Sequence, residues 1–378
     1  MLSGQLRFPF LDLYSVNARY IDSLHMAASR VIDSGRYIGG EEVEAFNSDL
    51  AALCRAPHAV GVSNGLDALR LILEGYKQLG RLHEGDEVIV PANTYIASVL
   101  AITHAGLVPV PVDPDISTMN MSAATMKAAI SSRTAAIMPV HLYGRVAWNS
   151  ELAELANEHR LLVVEDAAQA IGAQAMSDGL YGSRMAGALG HAGAFSFYPT
   201  KNIGALGDAG AVVTHDTELA EVVNALANYG SDRRYHNIYT GFNCRLDPIQ
   251  AAMIRAKLPD VTDANNRRAE RASVYTSTIS HPSVITPCVT PDCVWHQYVI
   301  RVKDKRRDEM AEYLHRNGVG TDIHYATPPH MQPCYSNLGH GPLPVTELLA
   351  SQILSLPVSD CTSTDDAAEI ARIINRFK

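Results

Sequence analysis

The chain has 378 residues, of which 47% are hydrophobic and 19% charged, and its 31 Lys and Arg against 40 Asp and Glu give a formal charge of −9. That length suits two domains, or one large α/β domain with an appendage, and the composition excludes a disordered chain. The acidic balance argues against a nucleic-acid partner, which calls for a basic surface, but leaves room for small anions held by backbone N–H groups and a few placed cations.

Met1 to Phe10 carries one Arg and no apolar run long enough for a signal-peptide core. No stretch approaches the roughly 18 uninterrupted apolar residues of a membrane span. Six cysteines lie scattered without a CxxC pair, the pattern of reduced thiols in a cytoplasmic protein with no metal site.

In chain order, acidic residues at 41 and 42 open an amphipathic helix whose stripe is Val43, Phe46, Leu50 and Leu53. Short apolar runs predict strands over 59–63, 87–91, 108–113, 135–141, 161–166, 194–198 and 210–215, with helices over 66–79 and 151–159. Strands alternating with helices imply a mostly parallel sheet covered on both faces. After residue 245 the pattern changes. Helices are expected over 247–258 and 262–278, and Pro282, Pro287 and Pro291 follow. An alternating strand over 295–302, a helix around 307–317, a short strand over 321–325 and a closing helix over 364–377 complete the chain. Residues 1–245 therefore read as a large α/β domain with an N-terminal arm, and residues 246–378 as a smaller α+β domain.

Four strand ends carry chemistry. The run 161–164 is apolar throughout and ends in Glu165 and Asp166, so it delivers a carboxylate at its carboxyl end, where open α/β sheets bind ligands. Lys201 follows Phe195-Ser-Phe-Tyr-Pro-Thr inside a glycine-rich bend. A desolvated amine there loses basicity and becomes a nucleophile able to form a Schiff base. An acid on a neighbouring strand can hold the pyridinium nitrogen of pyridoxal phosphate. Ser63-Asn-Gly-Leu-Asp67 joins a strand to a helix and makes a natural phosphate site. Tyr95, after the next strand, can stack on a ring. Each has a plainer reading: Lys201 snorkelling, Asp166, Asn64 or Asp67 capping a helix, and Tyr95 filling the core. The combination points to a pyridoxal phosphate enzyme.

The sequence resembles the sugar-nucleotide aminotransferases of the DegT/StrS family nearly end to end. The likeness includes Gly85-Asp-Glu-Val-Ile-Val-Pro-Ala-Asn-Thr-Tyr95, Pro139-Val-His-Leu-Tyr-Gly144, Glu165-Asp-Ala-Ala-Gln169, the Lys201 segment and Gly241-Phe-Asn-Cys-Arg-Leu-Asp247. The resemblance implies the fold type I aminotransferase architecture, an α/β large domain with a mostly parallel seven-stranded sheet between helices, plus the small C-terminal domain. By that resemblance Lys201 joins the cofactor and Asp166 partners its pyridine nitrogen. Tyr95 stacks on the ring, and Gln169 lies against its other face or near its hydroxyl. Gly65, Leu66 and Ser196 bind the phosphate, and Asn243 reaches it from the second subunit of a homodimer. L-glutamate is the implied amino donor and a keto-sugar nucleotide the acceptor. The family's dehydratases carry histidine where this chain has Lys201.

Ser63-Asn-Gly-Leu-Asp-Ala-Leu69 and Asn228-Tyr-Gly-Ser-Asp-Arg-Arg-Tyr-His-Asn-Ile-Tyr-Thr-Gly241 are most similar to the branch that aminates C3 of dTDP-3-keto-6-deoxyhexoses for O-antigen or S-layer glycans. The alternatives are C4 amination, as in perosamine synthesis, and a regulator that binds without turnover. Arg233, Arg234 and His236 read either as contacts for the diphosphate or thymidine or as a solvated basic loop. His324-Tyr325 resembles the family's substrate-facing pair, with His330 a looser match. His141 reads as a satisfied near-core histidine.

Overall fold

The computed structural model describes residues 6–339 and 341–378. Its centre is a seven-stranded sheet of β1 (His58–Val62), β2 (Glu87–Pro91), β3 (Val108–Val112), β4 (Thr134–Ile137), β5 (Leu162–Asp166), β6 (Ala192–Ser196) and β7 (Gly210–Thr214). The order is β1-β7-β6-β5-β4-β2-β3, with β7 antiparallel to both neighbours and the other pairings parallel. This is the α/β sheet expected from the alternation of strands and helices.

The strands are apolar on both sides because both faces are covered. Val88, Val90, Val164 and Val212 join one buried cluster with Leu69, Ile72 and Leu73 of helix Gly65–Gln78. Their neighbours Ile89 and Val163 point to the opposite face and pack with Leu152 and Leu155 of helix Ser150–Glu158. Side chains alternate along a strand, so a doubly covered sheet needs apolar residues in both phases.

Two strands end two or more residues earlier than expected. β4 stops at Ile137, although Met138 still donates to Ile89 and His141 to Asp166. β6 spans Ala192–Ser196, so Phe197 and Tyr198 lie beyond it. Pro199 removes a ladder donor there, and the chain turns with the Lys201 N–H bonded to the Tyr198 carbonyl at 2.9 Å.

Beyond the sheet, β8 (Ser231–Arg233) and β9 (His236–Asn237) form an exposed hairpin. β10 (Val284–Ile285), β11 (Tyr298–Val302) and β12 (Ile353–Leu356) form an antiparallel sheet of three strands. Its core gathers Tyr275 of helix Val261–Thr278, Met310 and Leu314 of helix Arg307–Arg316, and Ile370 and Ile374 of helix Thr364–Asn375. Helix Pro248–Lys257 packs Ala252 and Met253 against Leu24, Ala27 and Val31 of helix Ile21–Ser34.

The strand expected over 295–302 begins only at Tyr298, because Trp295 takes a left-handed backbone (φ 51°) that breaks extended geometry. The short strand expected over 321–325 does not form. Only Asp322 bridges Ser355 of β12, and His324 and Tyr325 turn into a cavity instead. Among the described residues no helix is long and apolar enough to cross a membrane.

Candidate active site

A cavity of about 510 Å³ opens at the carboxyl ends of the central strands, lined by Gly65, Leu66, Tyr95, Asp166, Gln169, Ser196, Lys201, His324 and Tyr325. The fold thus brings together nine of the residues singled out in the sequence. Asn243 and Arg233 are not among the residues lining it.

The strand alternation separates two consecutive carboxylates. Asp166 leaves β5 on the side of helix Gly65–Gln78 and lines the cavity, 6% exposed. Its Oδ2 accepts from the Ser98 hydroxyl at 2.7 Å and its Oδ1 from the Ala168 N–H at 3.1 Å. Glu165 points the other way and is fully buried. It accepts from the N–H groups of Gly187, Leu189 and Gly190 at 2.7–2.8 Å and pairs with His141 Nε2 at 2.7 Å. Glu165 and His141 are structural, as the reading of His141 anticipated.

Lys201 sits on the bend after β6. A Cβ at Gly204 would fall 2.4 Å from the Pro199 carbonyl oxygen, so the bend needs glycine there. Burial pulls the Lys201 ammonium down to about 8, and Asp166 opposes the shift. That environment suits a lysine that must be neutral to attack a carbonyl.

The third corner is the head of helix Gly65–Gln78. Asn64 is its N-cap, accepting from the Asp67 N–H at 2.8 Å, while its carbonyl takes the Ala68 N–H. The plainer reading of Asn64 as a cap therefore holds, and it leaves the first-turn N–H groups of Gly65 and Leu66 without helical acceptors. A Cβ on Gly65 would stand 2.8 Å from Ser196 Cβ, so glycine keeps a cradle open between helix and strand. The cradle, the buried acid and the desolvated lysine fit the phosphate, ring nitrogen and aldehyde of pyridoxal phosphate.

The rim comes from both sheets. Tyr95 is 53% exposed, not a core residue, and its ring centroid lies 5.1 Å from that of Tyr325. Gln169 accepts from the Tyr143 N–H and donates to the Tyr325 hydroxyl at 3.1 Å. Burial, reinforced by Asp166, raises the Tyr325 phenol, so it stays protonated. His324 bonds Ser355 Oγ through Nδ1 at 2.8 Å, stacks on Phe10, and is held below its usual range by burial.

Two further lining or supporting groups escaped sequence reasoning. Ser98 is buried behind Asp166. His296 lines the cavity and is pushed well below its ordinary value by burial and by Lys201. Ser98 could have been suspected from its place one helical turn beyond Thr94, whose hydroxyl it meets at 2.8 Å. His296 offered no such signal.

Asn243 is exposed because its neighbours turn inward: Phe242 lies under the Arg70 guanidinium at 4.0 Å, and the Cys244 carbonyl accepts from the Ser63 N–H at 2.8 Å. Arg233 is exposed on the hairpin, where His236 Nδ1 and Asp232 pair at 2.6 Å.

Comparison with known proteins agrees with this geometry. Residues 21–375 match the DegT/DnrJ/EryC1/StrS aminotransferase family. The chain is 45% identical over 371 residues to the dTDP-3-amino-3,6-dideoxy-alpha-D-galactopyranose transaminase of Aneurinibacillus thermoaerophilus, covering 98% of this chain and 99% of that one. It is 45% identical over 357 residues to the dTDP-3-amino-3,4,6-trideoxy-alpha-D-glucose transaminase of Streptomyces venezuelae, covering 93% and 91%. The crystal structure of S. venezuelae DesV in complex with ketimine intermediate superimposes with a TM-score of 0.91 at 43% identity over 98% of both chains. With likeness of this extent across fold and sequence, the chain belongs to the DegT/DnrJ/EryC1/StrS aminotransferase family, and it is a pyridoxal phosphate-dependent enzyme.

Proposed function

We propose that the enzyme transfers the amino group of L-glutamate to C3 of a dTDP-3-keto-6-deoxyhexose, giving a dTDP-3-amino-3,6-dideoxyhexose of galacto or gluco configuration. The observation that carries this reading is the convergence of Lys201, Asp166 and the Gly65–Ser196 cradle on one cavity. Likeness to two 3-amino-sugar transaminases supports C3 over C4.

Bound pyridoxal phosphate supplies the electron sink that lets a proton leave the donor's α-carbon. In this reading Gly65, Leu66 and Ser196 bind its phosphate, Asp166 holds its ring nitrogen protonated, Tyr95 covers one face, and Gln169 lies against the other or beside the ring hydroxyl. Lys201, whose ammonium burial pulls down to about 8, takes the proton from the donor α-carbon as the neutral amine and later returns one to C3 of the sugar. His324 and Tyr325 face the sugar. Residues 1–245 hold the cofactor, and residues 246–378 close over it.

The enzyme acts as a homodimer with shared sites. Asn243 is exposed, and Tyr198, Leu206, Tyr229, Tyr235 and Ile238 are each 47–87% exposed, side chains that a second copy would cover. Asn243 of each protomer then reaches the phosphate in its partner, and Arg233 meets the nucleotide diphosphate. The acidic chain thereby holds its anions on local N–H groups and few cations, in the cytoplasm, for O-antigen or S-layer glycan synthesis.

The test is incubation with L-glutamate and either dTDP-3-keto- or dTDP-4-keto-6-deoxyhexose, with the product assigned by NMR. Amination of the 3-keto sugar is expected. Product from the 4-keto sugar alone overturns C3 specificity, and no glutamate-dependent product from either overturns the substrate class.

A further inference from the structure

A second chamber of about 160 Å³ adjoins the cavity over Lys201. Thr200, His296, Gln297 and His324 line both, so the two spaces meet along these residues. The far wall of the chamber carries Arg268, from the long helix Val261–Thr278.

Arg268 is 5% exposed. Its Nη1 donates to the carbonyls of Trp295 at 3.2 Å and His296 at 3.4 Å. Its Nε and Nη2 have no hydrogen-bond partner among the described residues, and neither is sealed away from the chamber. Neighbouring carboxylates are otherwise engaged. Asp360 is held by both donors of Arg267 at 2.9 and 3.0 Å, and Asp322 lies at the mouth, 3.6 Å from His324 Nε2. Burial draws the guanidinium down to about 10, which still leaves it charged at neutral pH. A buried cation without a carboxylate partner is costly, and Nε with Nη2 forms the side-on pair that matches the two oxygens of a carboxylate.

His296 keeps the chamber from carrying a second positive charge. Asn202 donates both amide hydrogens, to Asn265 Oδ1 at 2.8 Å and the Val294 carbonyl at 3.0 Å. Its Oδ1 therefore accepts from His296 Nδ1 at 3.1 Å, which places the imidazole proton on Nδ1 and leaves Nε2 a bare acceptor.

We propose that this chamber is the carboxylate subsite for the amino donor, with Arg268 binding one carboxylate of a dicarboxylic amino acid while its nitrogen reaches Lys201's cavity. The proposal rests on the aminotransferase reading above and assigns a place to a substrate group that the larger cavity leaves without a cation other than Lys201 among its described lining residues.

The experiment uses the holoenzyme and glutarate, a dicarboxylate with no amine to react. Calorimetry should give a dissociation constant for glutarate that rises about tenfold or more in Arg268→Met, with partial recovery in Arg268→Lys, which keeps charge but loses the fork. KM for L-glutamate should rise in parallel, while the reverse half-reaction with the amino-sugar product and the cofactor absorbance stay near wild type. A second variant, Ser359→Leu, fills the chamber from another wall without altering Arg268 and should weaken glutarate binding likewise. L-alanine locates the contact: loss with both amino acids assigns the α-carboxylate, and loss with glutamate alone assigns the side-chain carboxylate. Glutarate binding that is unchanged in both Arg268→Met and Ser359→Leu overturns the proposal, as does an equal loss in the amino-sugar half-reaction. Wild-type enzyme that binds glutarate and reacts with glutamate but ignores the 3-keto sugar would overturn the proposed acceptor and leave this subsite standing.

Discussion

The hydroxyl of Ser98, on helix Ile96–His104, donates to Oδ2 of Asp166 across 2.7 Å, and both residues are buried. Thr94 Oγ1 lies 2.8 Å behind Ser98, and the Ala168 N–H holds the other carboxylate oxygen. The carboxylate proposed to meet the cofactor ring is thus aimed from behind. A hydrogen bond to a buried charge contributes about 1.5–3 kcal/mol. Ser98→Ala should therefore weaken cofactor retention roughly 10- to 100-fold, read by titrating apoprotein with pyridoxal phosphate. Unchanged retention in a variant of wild-type thermal stability would refute this role.

The Gly65–Ser196 cradle makes a steric prediction. An alanine Cβ at 65 meets Ser196 Cβ at 2.8 Å and Ser196 Cα at 3.3 Å, neither at the end of a flexible chain. The helix head must shift by tenths of an ångström, away from the spot where its N–H groups are proposed to meet the cofactor phosphate. Overpacking of this kind costs about 1–3 kcal/mol. Gly65→Ala should lower affinity for pyridoxal phosphate by roughly 5- to 100-fold, with a smaller effect on pyridoxal, which lacks the phosphate. Equal losses for both ligands would place the damage elsewhere.

Lys201 sets a pH dependence. Its folded value is about 8 against an ordinary 10.5, because burial disfavours the ammonium form. The reactive species is the neutral amine, so the rate at which apoprotein captures pyridoxal phosphate should rise as pH passes upward through about 8, then level off well below 10.5. Stopped-flow absorbance across pH 6–10 gives the profile. A midpoint near 10.5 would mean the amine is solvated, and Lys201→Ala should abolish both the capture and the borohydride-fixed adduct.

Glu165 and Asp166 show how far the sequence could be read. An apolar run ending in two acids located the strand end, and the lysine bend, phosphate turn and Tyr95 fell at neighbouring strand ends, because parallel sheets place such groups together. Which acid faces the cavity depends on strand phase; Asp166 is the one expected from the sequence, and the enclosure of Glu165 by Gly187, Leu189, Gly190 and His141 supplies the physical reason. His296 and Arg268 were illegible for a related reason. Each acts through a partner far away in the chain, and no local spacing encodes such a pairing. The expected strand over 321–325 failed because alternation there serves a cavity wall rather than a ladder. Glu165→Gln should cost roughly 3 kcal/mol of stability, since its amide would face backbone donors. Chemical denaturation reads the loss, while the cofactor spectrum of the folded fraction stays near wild type; a shifted spectrum would give Glu165 a role in the site.

Asn243 offers the sharpest test of shared sites. It stands on an outward turn between inward Phe242 and Cys244, outside its own chain's cavity. If it completes the partner's phosphate site, Asn243→Ala and Lys201→Ala homodimers each carry two defective sites. A mixed dimer of the two variants then has one site with both defects and one with neither. Random reassociation makes about half the dimers mixed, each with one intact site of two, so activity should recover to roughly a quarter of wild type. The mixture is unfolded and refolded together or co-expressed, and glutamate-dependent turnover is measured against each variant alone. Recovery requires that the two residues serve one site from different chains. Activity no greater than the sum of the separate variants, in a preparation shown by mass spectrometry to contain mixed dimers, would place Asn243 in its own chain's site or outside any site.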